Sequence, residues 1–116
     1  MAQKQALFAF NGEAMCFMHV LLNALNLHEK GYGAKVVVEG AATKLVPEFG
    51  KPESPLYRLF EKAKTANLID GACRACCAKM GTLQAAEELG IPLLDDMMGH
   101  PSMSRYLQEG FQIITF

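Results

Sequence analysis

The sequence lacks an excess of charge of either sign. Its 116 residues carry 11 lysines and arginines against 12 acidic residues, a formal net charge of -1 at pH 7. Binding to phosphate backbones or anionic lipid usually needs a strongly basic surface. The composition therefore argues against nucleic acid and membrane surfaces as partners.

The sequence also has no segment that fits a membrane span or a secretory signal. The longest apolar stretch, residues 14–27, is interrupted by His19, Asn23 and Asn26, and it is shorter than the roughly 20 apolar residues that a membrane span needs. Residues 1–10 contain one lysine and too short an apolar run for a secretory signal. We expect a soluble, cytoplasmic protein whose four cysteines are free thiols in a reducing compartment.

Two familiar ligand-binding motifs are missing as well. The turn at Asn11, Gly12 and Glu13 lacks the Gly-x-Gly-x-x-Gly fingerprint and has an acid where a phosphate would lie. The cysteines offer no second Cys-x-x-Cys pair, although three clustered thiols with His100 or Cys16 would make a Cys₃His or Cys₄ set. We predict no cofactor and no metal.

The elements that are present alternate between strand and helix. Predicted strands cover residues 6–10, 35–39, 66–72, 91–94 and 111–116, with amphipathic helices between them. The connection at 40–55 is a long loop with at most a short helical turn at 41–46, and Pro101 suits the first turn of the last helix. This order predicts one domain over residues 1–116, an α/β fold in which a mostly parallel five-stranded sheet forms the middle of a three-layer α/β/α sandwich.

Polar and reactive residues follow the predicted strands where those strands end. Residues 11–13 follow the first strand, Glu39 and Gly40 lie at the end of the second, residues 73–77 follow the third and residues 95–100 follow the fourth. In open α/β sheets, ligands collect at the carboxyl ends of strands. The sequence therefore predicts a functional site at this edge.

Cys73 is the predicted nucleophile. It follows an apolar strand directly and opens a predicted helix, where backbone N–H groups and the positive charge of Arg74 would stabilise a thiolate. We expect a depressed pKa for this thiol and an accessible sulfur atom. Cys76 lies three residues on, at the spacing that lets one thiol attack a sulfur bound to the other.

The remaining cysteines have two interpretations. Cys76 is either the resolving partner of Cys73 or a small apolar residue packed beneath the helix. For Cys77 and for Cys16 on the first helix, the pattern favours packing in the core.

Several nearby side chains are candidate binding residues. His100 either tunes a sulfur species at this edge or is a solvated loop histidine. Arg74, Asn11 and Glu13 complete the candidate set, with Glu13 also fitting a first-turn carboxylate that favours the helix dipole. The methionines of the same region are either core residues or an adaptable surface for a partner, namely Met97, Met98 and Met103.

The arrangement resembles the DsrE/DsrF-like family of small, TusD/DsrE-type sulfur-relay proteins. The resemblance runs along nearly the whole chain and is sharpest at CRACCAKMG, residues 73–81, which resembles the family's cysteine, short helix and glycine; the closing strand GFQIITF also fits. It implies persulfide transfer in sulfur oxidation or transfer-RNA thiolation, with Cys73 as the sulfur-carrying cysteine. It also implies homo-oligomers such as trimers or hexamers, with donor and acceptor proteins as partners.

Three functions follow as hypotheses. The first is a sulfurtransferase-like carrier that holds a persulfide on Cys73, with Cys76 as the resolving thiol. The second is a redox or sensing protein that cycles a disulfide between the same two residues. The third is a non-catalytic oligomeric subunit that binds a partner through its long loop and methionines.

Overall fold

The computed structural model describes residues 3–116 and contains a five-stranded, entirely parallel sheet. The strands lie in the order β4-β3-β2-β1-β5 and comprise β1 (Lys4–Ala9), β2 (Gly33–Val38), β3 (Ile69–Cys73), β4 (Leu93–Leu94) and β5 (Phe111–Thr115). The helices are α1 (Ala14–Glu29), α2 (Tyr57–Thr65), α3 (Arg74–Met80), α4 (Leu83–Glu88) and α5 (Met103–Gln108), with a 3-10 helix at Gly40–Gly50. The predicted fold class is confirmed.

The valines of β2 show why the sheet lies in the middle. Val36, Val37 and Val38 are consecutive and all fully buried. Val36 and Val38 join the larger core cluster, whereas Val37 joins the smaller one on the opposite face. The unbroken run of β-branched residues thus fits a strand that is covered on both sides.

The two outer layers are unequal. The larger core cluster joins the sheet to α1, α2 and the 3-10 helix through residues such as Phe17, Phe49 and Phe60, whose rings stack at 4.5–4.9 Å. On the opposite face, α5 contributes Tyr106, which packs edge-to-face against Phe8 of β1. The result is an α/β/α sandwich with one thick and one thin layer.

The connection after β2 differs from the prediction of a loop with at most one short helical turn. Its 3-10 helix runs for 11 residues and buries Leu45, Val46 and Phe49 against the core. These apolar side chains recur three and four residues apart, so one side of a helical segment can bury them together. The segment is therefore a packed part of the thick layer.

Two further boundaries differ from the sequence-based expectation. Strand β4 pairs only over Leu93–Leu94; Pro92 before it accepts from the Ala72 N–H at 2.9 Å through its carbonyl but has no N–H to donate. The last helix begins at Met103 after Ser102, so Pro101 lies outside it. Along residues 3–116, every helix is too short or too polar to cross a membrane.

Candidate functional site

Four side chains meet where three adjacent strands end. Glu39 follows β2, Cys73 is the last residue of β3, Cys76 lies in α3 and His100 follows β4. One donor atom from each of the four lies within 4.8 Å of the other three. We call this group the four-donor cluster.

Cys73 lies at the junction between β3 and α3. It caps α3 at its amino end, and its Sγ accepts a hydrogen bond from the Cys76 backbone N–H at 3.4 Å. The Sγ atom also lies 3.0 Å from His100 Nδ1. The residue is fully buried, as Glu39 nearly is, whereas Cys76 and His100 are partly exposed.

Burial shifts the pKa of the Cys73 thiol in the direction opposite to the one expected from the sequence. It raises the pKa of Cys73 well above the ordinary thiol value; the Cys76 backbone N–H opposes the rise, while the Cys76 thiol and the Glu39 carboxylate add to it. The predicted depressed pKa and accessible sulfur at Cys73 were therefore wrong. The favourable amide contact is present, but it is outweighed by the loss of solvent.

Cys76 is the more exposed of the two cysteines in the cluster. It is partly exposed, its Sγ donates to Glu39 Oε1 at 3.3 Å, and it lies 3.8 Å from His100 Nδ1. A reagent in solution therefore reaches the cluster through Cys76 and His100 before it reaches Cys73.

A tight turn fixes the position of His100. Met97 and His100 exchange two backbone hydrogen bonds, of 2.7 and 2.9 Å, and the residues between them, Met98 and Gly99, have φ of 51° and 91°. Positive φ at both central positions is typical of a type I′ turn. The Gly99 carbonyl accepts from the Ala75 N–H at 2.9 Å, which ties this turn to α3.

Glu39 is the member of the cluster that the sequence placed at this edge without assigning it a role. Its side chain is only 7% exposed, and Oε1 accepts from the Gly40 N–H at 2.9 Å at the start of the 3-10 helix. The available signal was its place directly after three buried valines, at the carboxyl end of a strand next to β3.

The other predicted binding residues lie outside the cluster. Arg74 forms an ion pair of 3.0 Å with Asp95, and both side chains are about half exposed. Asn11 and Glu13 are exposed, and Asn11 Oδ1 accepts from the Glu13 N–H at 2.8 Å. These contacts account for Arg74 as a surface ion pair and for Asn11 and Glu13 as the turn that leads into α1.

The remaining cysteines and the methionines are also located. Cys77 is buried in the larger core cluster, as predicted, and burial raises the pKa of its thiol. Cys16 is partly exposed and not a member of that core, contrary to the expectation. Met97, Met98 and Met103 are 50%, 96% and 37% exposed, so they lie on the surface and not in the core, and their role as a partner surface stays a prediction.

Comparison with known proteins gives relatives without an assigned function. No protein-family model matches the chain. It is 35% identical to the uncharacterized protein MJ0733 of Methanocaldococcus jannaschii over 97 residues, 84% of this chain and 77% of that protein. It is 49% identical to an uncharacterized protein of Archaeoglobus fulgidus over 43 residues, 37% of this chain and 70% of the other.

A solved structure shares the fold. The conserved protein of unknown function BT1422 from Bacteroides thetaiotaomicron superposes with a TM-score of 0.72, covering 97% of this chain and 95% of that chain at 22% identity. At this identity the likeness establishes the shared architecture, and the chemistry has to be argued from the four-donor cluster.

Proposed function

The chain belongs to the same family as MJ0733 of Methanocaldococcus jannaschii, and we propose that it is a cytoplasmic sulfur-relay protein. In this proposal Cys73 and Cys76 together accept sulfane sulfur from a persulfide donor and pass it on. The resemblance to DsrE/DsrF-like proteins agrees with this function, and the contacts among the two thiols and His100 support it.

One observation carries the proposal. A single imidazole nitrogen, His100 Nδ1, lies 3.0 Å from Cys73 Sγ and 3.8 Å from Cys76 Sγ. A base within reach of both thiols can take the proton of either and generate the nucleophilic thiolate.

The exposure of the two thiols suggests the order in which they react. Cys76 is partly exposed and Cys73 is buried, so in our proposal Cys76 meets the donor first. This exchanges the roles that the sequence suggested, in which Cys73 carried the sulfur and Cys76 resolved it.

Loading is a transfer without net oxidation. The Cys76 thiolate attacks the terminal sulfur of the donor persulfide, a new S–S bond forms on Cys76, and the S–S bond of the donor breaks. The donor leaves as a thiol after it takes the proton that His100 received from Cys76. The sulfane sulfur keeps its oxidation state throughout.

Two routes unload the sulfur. An acceptor thiolate attacks the terminal sulfur of the persulfide, receives it, and leaves Cys76 as a thiol. Alternatively, Cys73 attacks the Cys76 Sγ, which releases hydrogen sulfide and forms a Cys73–Cys76 disulfide. This second route needs a dithiol reductant to restore both thiols.

Intact-mass spectrometry of the reduced protein after treatment with a low-molecular-mass persulfide tests the proposal. We expect the mass to rise by one sulfur atom, Cys76→Ser to prevent loading, and Cys73→Ser to load but release no hydrogen sulfide. Cys16→Ser is the matched control, since Cys16 lies in α1 and outside the four-donor cluster. A Cys73→Ser variant that gains no sulfur, or a Cys76→Ser variant that loads normally, would contradict the proposal.

A second candidate is a dithiol redox or sensing protein that carries no sulfur. The two Sγ atoms lie within 4.8 Å of each other, which favours it. It predicts the same disulfide and a measurable reduction potential, but no release of hydrogen sulfide from the wild type and no gain of sulfur in Cys73→Ser. A non-catalytic subunit, the third possibility, predicts that the double variant Cys73→Ser/Cys76→Ser keeps its cellular activity.

The proposal includes the partners that the resemblance implies. We propose that the protein forms a homo-oligomer, a trimer or hexamer, and that its partners are a sulfur-donor protein and an acceptor protein. Native mass spectrometry at micromolar concentration tests the oligomer, and a purely monomeric spectrum would refute that part of the proposal.

A further inference from the structure

We propose that Glu39, Cys73, Cys76 and His100 together bind one Zn²⁺ ion. The inference concerns the same side chains as the sulfur-relay proposal but does not depend on it, because it requires no persulfide and no transfer step.

The spacing of the four donor atoms is near that of a tetrahedral site, and bound zinc would draw the widest pair together by about 1 Å. Zinc–sulfur bonds of about 2.3 Å and zinc–nitrogen or zinc–oxygen bonds of about 2.0–2.1 Å place tetrahedral ligands about 3.3–3.8 Å apart. The sulfur-to-nitrogen distances are 3.0 Å from Cys73 and 3.8 Å from Cys76. The Cys76 Sγ to Glu39 Oε1 distance is 3.3 Å, and all four atoms lie within 4.8 Å of one another.

The charge of the cluster favours a cation at its centre. The Glu39 carboxylate is nearly fully buried, and in the part of the chain that the structure describes it forms no ion pair with a lysine or arginine. A buried carboxylate without a cationic partner is costly. A divalent cation would neutralise it and would let both cysteines bind as thiolates.

The donor types select the class of metal. Two thiolates and an imidazole favour zinc and similar soft or borderline ions over magnesium and calcium, which prefer oxygen ligands. Because the protein supplies all four ligands, zinc would have no open position for a substrate, as is typical of structural zinc sites.

Contacts around the cluster fix the ligands in advance. The Gly40 N–H orients the Glu39 carboxylate, and the Met97–His100 turn fixes the imidazole. Such outer contacts position metal ligands and affect their affinity. Cys76 and His100 are partly exposed, which gives the ion a route to the site.

Patterns in the sequence did not identify this set of four ligands. A search by cysteine spacing needs a second Cys-x-x-Cys pair, which the chain lacks. Here one Cys-x-x-Cys pair meets a carboxylate and an imidazole from two other strand ends. Neither Cys77 nor Cys16, which the sequence offered as further ligands, belongs to the cluster.

A consequence is that zinc and sulfane sulfur compete for the same thiols. A zinc-bound form would hold both Sγ atoms as ligands, so the two sulfur atoms would be withheld from persulfide donors and from disulfide formation. Zinc would then protect the dithiol and would inhibit sulfur loading.

Titration of the fully reduced, metal-free protein with Co²⁺ and then Zn²⁺ tests the inference. We expect one Co²⁺ per chain, with the intense visible bands of tetrahedral cobalt and a near-ultraviolet thiolate-to-cobalt band, both removed by one equivalent of Zn²⁺. The cobalt spectrum reports the ligands in the wild-type protein, so this result requires no variant to fold.

Variants then identify the ligands by zinc competition. Glu39→Gln keeps the size of the side chain but removes the charge, and we expect affinity to fall by about 10-fold or more. Cys76→Ser removes one of the two thiolate ligands and should weaken the thiolate-to-cobalt band by about half or more, and the control Cys16→Ser should bind as the wild type does. Absence of tetrahedral cobalt bands, or unchanged binding in Cys76→Ser, would overturn the inference.

The metal titration contains no sulfur donor, and the loading assay is performed with a chelator present. Failure of zinc binding with normal sulfur loading would therefore refute only the metal site. Failure of loading with normal zinc binding would refute only the sulfur relay.

Discussion

Cys76 and Cys73 differ in access to solvent although only two residues separate them. Cys76 is partly exposed, whereas Cys73 and Cys77 are buried. We predict that iodoacetamide modifies Cys76 first in the folded, metal-free protein, because alkylation requires an accessible thiolate. Trypsin cuts after Arg74 and separates Cys73 from the other two, so peptide mass spectrometry can follow each thiol. Modification of Cys73 as fast as that of Cys76 would contradict this assignment.

Tyr106 provides a prediction on pH. It is buried in the thin layer and donates a hydrogen bond to the carboxylate of Asp70, which also accepts from Arg105 at 3.2 Å. Burial raises the pKa of the Tyr106 phenol above its ordinary value of 10.0, and the neighbouring carboxylate adds to the rise. The folded state therefore favours the neutral phenol, and this contribution to stability is complete below pH 10 and lost as the pH rises towards the folded value.

Urea unfolding of the wild type and of Tyr106→Phe between about pH 8 and about pH 11 measures this contribution. We expect the free energy of unfolding to fall more steeply above pH 10 in the wild type than in Tyr106→Phe. The variant cannot ionise at this position, so the difference isolates the phenol. Parallel pH dependences in the two proteins would contradict the interpretation.

At the scale of elements, the turn that carries His100 requires a positive φ at two residues, and only one of them is a residue type that adopts it readily. Gly99 has a φ of 91°, which glycine adopts readily, whereas Met98 has a φ of 51° and is 96% exposed. We predict that Gly99→Ala lowers the free energy of unfolding by about 1–2 kcal/mol.

Met98→Asn should raise the free energy of unfolding by about 0.5 kcal/mol, since Asn-Gly is the preferred pair for this turn. Chemical denaturation measures both, and a stabilising Gly99→Ala change would contradict the assigned turn.

The contact between β3 and β4 depends on the absence of a side chain at Gly71. A Cβ atom there would lie 2.6 Å from the Pro92 carbonyl oxygen and 2.7 Å from Leu94 Cγ. We expect Gly71→Ala to push β4 away and to cost about 1–3 kcal/mol in the free energy of unfolding.

A comparison is Gly33→Ala in β2, where the nearest atom is Lys4 Cγ at 2.9 Å. The exposed Lys4 side chain can rotate away, which the Pro92 backbone cannot, so the cost should stay below that of Gly71→Ala, at about 0.5–1 kcal/mol. Equal costs for the two strand substitutions, measured by urea unfolding, would show that the close approach of β3 and β4 is not what makes Gly71 necessary.

At the scale of the whole molecule, the sequence predicted the architecture because its signals are periodic and local. The consecutive valines indicated a strand covered on both faces, and the alternation of strands and helices indicated a parallel sheet. The 3-10 helix at Gly40–Gly50 was only partly foreseen, because its apolar spacing is set among glycines and a proline that also fit a loop.

The sequence predicted where the site lies in the fold, but not the burial of Cys73 or the direction in which its pKa shifts. Strand ends gave the correct edge of the sheet, and both Cys73 and His100 lie there. The burial of Cys73 depends on how α3 and the turn at His100 close over it, and no local pattern encodes that packing. The role of Glu39 was missed for the same reason, since its contact with Cys76 joins residues 37 positions apart.

The central claim is that Cys76 and Cys73 form one reactive unit at the sheet edge, with Cys76 as the thiol that first receives sulfur. Its most direct test is peptide mapping after brief exposure of the reduced, metal-free protein to a persulfide donor and blocking of the remaining thiols. Tryptic peptide 75–79 contains Cys76 and Cys77, and peptide 65–74 contains Cys73. We predict that the added sulfur appears first on peptide 75–79, at Cys76 by fragmentation. Sulfur that appears first on Cys73, or only on the peptide with Cys16, would contradict it.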